Sequence, residues 1–466
     1  LVEACRTGEE ARIGDGRRPE KKTDDNNVRP EVIRFLTLGG DRTVPVHEHG
    51  LDLSGAWISG DLDMRDCECS VPVWLNNCRF DGEVKVRRAK LRVLSLRGSL
   101  IGALRADGLT TTADLFLDTL DSCSVFQALG PVELIGAHIG GDAYFDGGMF
   151  SNGKSIRSAS GVSGNTGERG VPKAIDCEGA TINGLLYFNK IKEIGGPVSF
   201  ERTEVNAVSD DMSSWSKAEH IVLDGFRYGR IADGDPPDAA SRVSDKGVTD
   251  AASRIEWLQM QHERHLKAKF RPQPWEQCVK VLREMGHDSD ARKVAIAKQA
   301  ALRAAGKLNG VRWPLHWLYG LLAGYGYKPL NTFCAMLLLW FIGSIFFYCA
   351  DQRGWMGPSA PAIQARADLA AVCGLPQGNR LTTWTICSKL PNEYTTFNPL
   401  IYSLDLILPL VDLQQEKDWS PIVTVNGTEW ALSRAIVRYF MWFEILFGWA
   451  MSLLLVAVLG NLVKKD

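Results

Sequence analysis

The chain has 466 residues, 45% of them hydrophobic and 23% charged, with a formal net charge of -2. That length leaves room for two or three domains, and near-neutral charge without a local basic patch excludes nucleic acid as a partner. The average hides a division: long apolar runs are confined to the region after Trp313, while most of what precedes it is Gly-rich and regularly patterned.

Residues 1–29, beginning LVEACRTGEEARIGDGRRPEKK, are charged and polar and lack the apolar core of a secretory signal, so a poorly ordered lead is expected there. In PEVIRFLTLGG, Ile33, Phe35 and Leu36 followed by Gly39-Gly40 predict a short capping helix. A repeat sets in at Leu51, with apolar pairs at Leu51/Leu53, Leu62/Met64, Val84/Val86, Leu94/Leu96 and Leu115/Leu117, and with Leu104 in LRA. At a spacing of about ten or eleven residues, two strands make a unit of about twenty-one, with Gly, Asp and Asn at the corners. The fold class expected for 30–230 is therefore a β-solenoid (β-helix). LDLSGAWISGDLDM, VELIGAHIGGDAYF and IDCEGATINGLLYF share one template. Their Gly55-Ala56, Gly136-Ala137 and Gly179-Ala180 pairs predict a crowded stacking position. The small polar residues of 151–169 read as a loop extruded from one coil, and 231–248, rich in Asp, Pro and Ser, as a linker.

Helical periodicity takes over in 249–307. After Pro272 and Pro274 it predicts a helical hairpin joined at Gly286-His287-Asp288, with Asp288 or Ser289 capping the second helix and Gly306 ending it. Arg292, Lys293, Lys298, Arg303 and Lys307 give the hairpin a basic side, which is either a solvated face or a contact for anionic lipid headgroups. The eleven cysteines include no CxxC pair, and Cys67, Cys69 and Cys78 read as small buried thiols rather than metal ligands.

VRWPLHWLYGLLAGYGYKP, 311–329, spaces Trp and Tyr through an apolar background, as an interfacial helix does. Two transmembrane helices are predicted over 330–350 and 436–463. Arg303, Lys307, Arg312 and Lys328 before the first, and Lys464 and Lys465 after the second, put both ends on the cytoplasmic side, with Arg434 and Arg438 pulling the other way. The segment between them, 351–435, then faces outward and holds Cys373 and Cys387, an expected disulfide.

Within that segment lies FNPLIYSLDLILPLVDL, 397–413, too short and too acidic for an ordinary span. Asn398 and Pro399 form a helix start, and Pro409 ends or kinks the helix one turn after Asp405. A carboxylate at the centre of a membrane helix costs roughly 2.5–3.5 kcal/mol, so Asp405, Asp412 and Glu444 should face protein or water. Two readings follow. In the first, 397–413 is re-entrant, several copies surround one axis, Asp405 or Asp412 forms a cation-selecting ring, and Glu444 lines the inner path. In the second, 397–413 is an interfacial helix lying on the bilayer with its carboxylates in water.

The coils, the phrase PQPWEQCVKVLREMGHDSDARKV, the phrase WLYGLLAGYGYKPL and the closing FNPLIYSLDLILPLVDLQQEKDWSP together resemble bacterial membrane-associated β-helix proteins. These have pentapeptide-like coils and a C-terminal two-span membrane domain, and the resemblance runs from about Pro30 onward. It implies a multi-pass protein of the bacterial inner (plasma) membrane. Some relatives are described as oxidoreductases, but no dinucleotide fingerprint, haem motif or iron-sulfur spacing is present, and no cofactor is expected. No local motif assembles a nucleophile, a base and an orienting group, which argues against an enzyme. The expected function is a homo-oligomeric ion channel whose cytoplasmic repeat domain senses a ligand or protein. The alternative is a membrane-anchored scaffold without transport activity.

Overall fold

The computed structural model describes residues 1–41, 44–121, 124–153, 172–232, 249–308, 310–364, 384–387, 390–391, 393–422 and 431–463. The chain divides into two compact units, Leu1–Lys307 and Leu308–Asp466. The polar stretch 151–169 falls almost wholly outside the described residues, as do most of the linker 231–248, Cys373, Lys464 and Lys465.

In the first unit most strands are very short, and those of the described residues' three large sheets pair in parallel from turn to turn. β3 (Leu51–Ser54), β4 (Trp57–Ile58) and β5 (Leu62–Asp63) are followed by β6 (Val73–Asn76), which returns to pair with β3. Leu51 lies against Val73, Val73 against Leu94 and Leu94 against Leu115, so each turn of chain is laid on the one before it. Leu51, Leu53, Val73, Leu75, Leu94, Leu96, Leu115 and Leu117 all point inward and are fully buried. Each such side chain contributes roughly 1.5–3 kcal/mol, and the accumulation holds two-residue strands that would not persist alone.

The expected fold class is corrected by this pairing. The strands sort into three all-parallel sheets of 12, 7 and 7 members rather than closing into one solenoid with two strands per unit. Each turn gives four short segments, two of them to the largest sheet, whose two columns join where Thr181–Phe188 runs through both. The arrangement is a stack of parallel sheets, β-helix-like in its register. A run of two residues per strand carries too little alternation to separate four columns from two.

The Gly-Ala template also has a different cause from crowding. Ala56, Ala137 and Ala180 are buried, but a Cβ on Gly136 or Gly179 would meet nothing within 4 Å. What those glycines share is a left-handed backbone, φ 63° and 67°, at a turn where Arg88 and Arg202 adopt the same conformation. At Gly55 alone, with φ 75°, an added Cβ would also strike the Ile13 carbonyl oxygen.

Residues 1–29, expected as a poorly ordered lead, contain β1 (Ala11–Arg12) and β2 (Asn27–Val28), which pair with β3 and β4 and begin two of the sheets. Helix α1 (Pro30–Thr37) follows, and Arg34 donates to the Asp63 carbonyl at 2.5 Å.

At the other end of the stack, α2 (Ala251–Gln259), α3 (Gln273–Glu284) and α4 (Asp288–Ala304) follow the last strands. Gln273 donates to the Phe226 carbonyl and accepts from Gly225 N–H, while Gln277 donates to the Tyr228 carbonyl. Backbone groups of the terminal turn are thereby satisfied. Arg254 on α2 forms a two-pronged ion pair with Asp210, which also accepts from Trp215 Nε1, and all three side chains are fully buried. Neither Asp288 nor Ser289 caps α4, whose N-cap is His287 without a side-chain bond. On the basic side, Lys293 pairs with Asp290, Lys298 with Glu276, and Lys307 donates to the Ala268 carbonyl.

The second unit is helical. α5 (Arg312–Ala323) exposes Trp313, Leu315, Trp317 and Leu321, and is followed by a tight turn in which Tyr325 has φ 58°. α6 (Pro329–Gln352), α7 (Pro399–Ile407) and α8 (Ala431–Val463) complete the set used below. α6 and the 435–460 portion of α8 are the two helices long and apolar enough to cross a membrane. A core of Phe347, Ala350, Met356, Phe397, Tyr402, Leu406, Trp419 and Val437 binds the three helices to the short antiparallel pair Met356–Pro358 and Trp419–Pro421.

Candidate functional site

Helix α7 begins where its sequence places a cap and a proline. The Asn398 carboxamide accepts from the backbone N–H groups of Leu400 and Ile401 at 3.0 and 3.4 Å, and Pro399 occupies the first turn, where an N–H would have no partner. It ends at Ile407 because Leu408 precedes Pro409 and is turned out of the helical region, φ -92° and ψ 95°. Nine residues make a rod of about 13 Å, less than half the thickness of a hydrocarbon core.

Both long helices hold this short one. From α6, Trp340 Nε1 donates to the Leu400 carbonyl at 2.9 Å, and the Phe347 ring meets Tyr402 edge-on at 4.7 Å. From α8, Gly448 lies so near that an added Cβ would strike the backbone of Ile407.

The chain enters and leaves α7 side by side. Gln415 accepts from Asn398 N–H and donates to Thr395 Oγ1 and the Thr396 carbonyl, Asp418 accepts from Thr395 N–H, and Trp419 Nε1 donates to the Thr395 carbonyl. Between these ends the segment runs in as a helix and returns as a loop that turns at Pro409-Leu410.

The three acidic candidates have three different surroundings. Asp405 is 6% exposed, and its two oxygens accept from the N–H groups of Leu413 and Glu416 at 2.7 and 2.9 Å, so it braces the returning loop. Asp412, its side chain 51% exposed, is paired with Lys417, which holds its carboxyl below the usual range. Near it, Leu410 is 90% exposed at the bend of the loop. Burial pushes the neighbouring Glu416 carboxyl up, with Asp405 and Asp412 adding to the effect.

Glu444, on α8, is 0% exposed. Its Oε1 lies 2.5 Å from Ser403 Oγ, while its Oε2 is buried without a partner among the described residues. Ser403 Oγ also contacts the Trp340 carbonyl at 3.2 Å. Gly343 on α6 makes the room, since a Cβ there would run into both Glu444 Oε1 and Ser403 Oγ. Ser403, Gly343 and Trp340 were not singled out from the sequence. The one available signal was Gly343-Ser344, two small residues inside the bulky run LLLWFIGSIFF, a pattern that permits close helix approach.

Cys387 is disulfide-bonded, while its expected partner Cys373 lies outside the described residues. Among the described residues no group of three or more His, Cys, Asp or Glu side chains is placed to hold a metal ion. Comparison with protein-family models, with curated proteins and with solved structures gives no match in any of the three.

Proposed function

We propose that the second unit is the membrane-embedded part of an ion-conducting homo-oligomer, with 397–413 as its re-entrant segment. The observation that carries this reading is the bonding of 395–398 to 415–419, which makes the chain enter and leave on one side while α7 is seated against both long helices. A short helix followed by a returning loop is how a pore can be lined by irregular backbone without exposing it to lipid. In the assembled ring the loop bend around Leu410 and Asp412 faces the axis. Asp412 carries the field that selects cations, and Asp405 acts only as the brace behind it. Both termini lie on the cytoplasmic side of a bacterial inner membrane, a reading supported by Arg303, Lys307, Arg312 and Lys328 ahead of α6. The stacked sheets of the first unit then sense a cytoplasmic ligand or protein.

A membrane-anchored scaffold is the second reading. It is favoured by the pairing of Asp412 with Lys417, which neutralises the acidic charge at the loop. Reconstitution of the purified full chain into a planar bilayer separates the two. Cation currents are expected from the channel, and a chain that incorporates intact but stays silent contradicts it.

A further inference from the structure

We infer that Glu444 is a proton-binding site, held as a carboxylic acid at the junction of α6, α7 and α8, and that its proton fastens α7 to α6. Ser403 Oγ touches two oxygens, Glu444 Oε1 at 2.5 Å and the Trp340 carbonyl at 3.2 Å, and a serine hydroxyl has one hydrogen to donate. A backbone carbonyl only accepts. With Glu444 ionised, two acceptors compete for one hydrogen, and one oxygen–oxygen contact is left without any. With Glu444 protonated, the chain closes: the carboxyl donates to Ser403 Oγ, and Ser403 donates to Trp340.

The second oxygen points the same way. Glu444 Oε2 is fully buried and has no partner among the described residues, a position that suits the carbonyl oxygen of an acid and not half of a negative charge. Among the described residues no cation is paired with such a charge. α6 faces the site with Trp340, Gly343 and Ser344, of which Ser344 donates to the Trp340 carbonyl at 2.7 Å. Asp351, farther along α6, is bonded to Thr385. α7 brings Tyr402, whose hydroxyl meets Met441 sulfur, and Asp405, engaged by the loop. On α8 itself, Arg438 donates to the Pro421 carbonyl at 2.8 Å. Loss of the proton leaves a bare carboxylate between three helices, and the relief available is separation of α7 from its seat.

The test is labelling of the full chain in membranes with dicyclohexylcarbodiimide, followed by peptide mass analysis. The O–H of a carboxylic acid adds across one N=C bond of the reagent, the proton going to nitrogen and the carboxyl oxygen to carbon. Acyl migration to nitrogen then gives a stable N-acylurea that retains every atom of both partners. The expected result is an adduct on Glu444 that declines as pH rises, and none there from a water-soluble carbodiimide. Ser403→Ala, which removes the only donor to the ionised form among the described residues, should carry the labelling to higher pH. This shift distinguishes a proton relay from mere packing. Absence of the Glu444 adduct, equal labelling by the water-soluble reagent, or labelling independent of pH overturns the inference in the unsubstituted chain alone. An unmoved pH profile in a folded Ser403→Ala chain overturns the hydrogen-bond chain. None of these readouts requires that the protein conduct.

Discussion

Arg254 and Asp210 are buried together where the last strands meet α2, and neither can be removed singly without stranding the other's charge. Arg254→Met should cost about 3–5 kcal/mol, read as faster hydrogen exchange of the Ala251–Gln259 amides. Replacing both, Arg254→Met with Asp210→Leu, should restore part of that protection. Wild-type exchange in the single variant would contradict the account. Asp146 has the opposite character. Burial, aided by nearby Asp118, pushes its carboxyl up to about 6 from an ordinary 3.8. The stability it contributes is therefore fully present below pH 3.8 and is lost as pH rises through about 6. Asp146→Asn keeps an acceptor for Asn189 N–H and should slow exchange of Met149–Ser151 above that pH while changing little below it. Equal effects at both pH values would refute this. Single residues such as these were only partly legible in the sequence. Asn398 and Pro399 act on the next two or three residues of their own chain, so spacing alone reveals them. The Glu444 niche needs Ser403, Gly343 and Trp340 from two other helices, and no pattern within one segment announces which faces will meet.

Among the elements, α7 depends on being admitted between its neighbours. Gly448 on α8 is what lets Ile407 approach, because any side chain there meets backbone, which cannot rotate away. Gly448→Ala should destabilise the seat of α7 by about 1–3 kcal/mol, as overpacking does. The measurement is hydrogen exchange across Pro399–Ile407, where faster exchange is expected and an unchanged rate would mean that α7 is not held from that side. The repeat in the first unit carries its periodicity in local side-chain burial. Alternating Leu and Val pairs disclosed that the chain coils and which side chains face in, since burial of alternate residues is a local signature. They did not disclose three sheets in place of one two-stranded solenoid, because strands such as Leu94–Ser95 and Leu104–Arg105 are two residues long and leave no count of columns in the pattern.

At the scale of the whole molecule, a stack of parallel sheets ends one unit in helices, and a second unit contains two helices able to cross a bilayer with a short one between them. The conduction proposal stands on what that short helix and its returning loop do when copies assemble. It assigns the selecting charge to Asp412, at the exposed loop, and withholds it from Asp405, whose oxygens are already taken by Leu413 and Glu416 N–H. The reversal potential of single-channel currents under a salt gradient, compared between the wild-type chain and Asp412→Lys, tests that assignment most directly. The account predicts a cation-selective reversal in the wild type that moves toward the anion side in the variant. A reversal potential indifferent to the sign of the charge at residue 412 would contradict it.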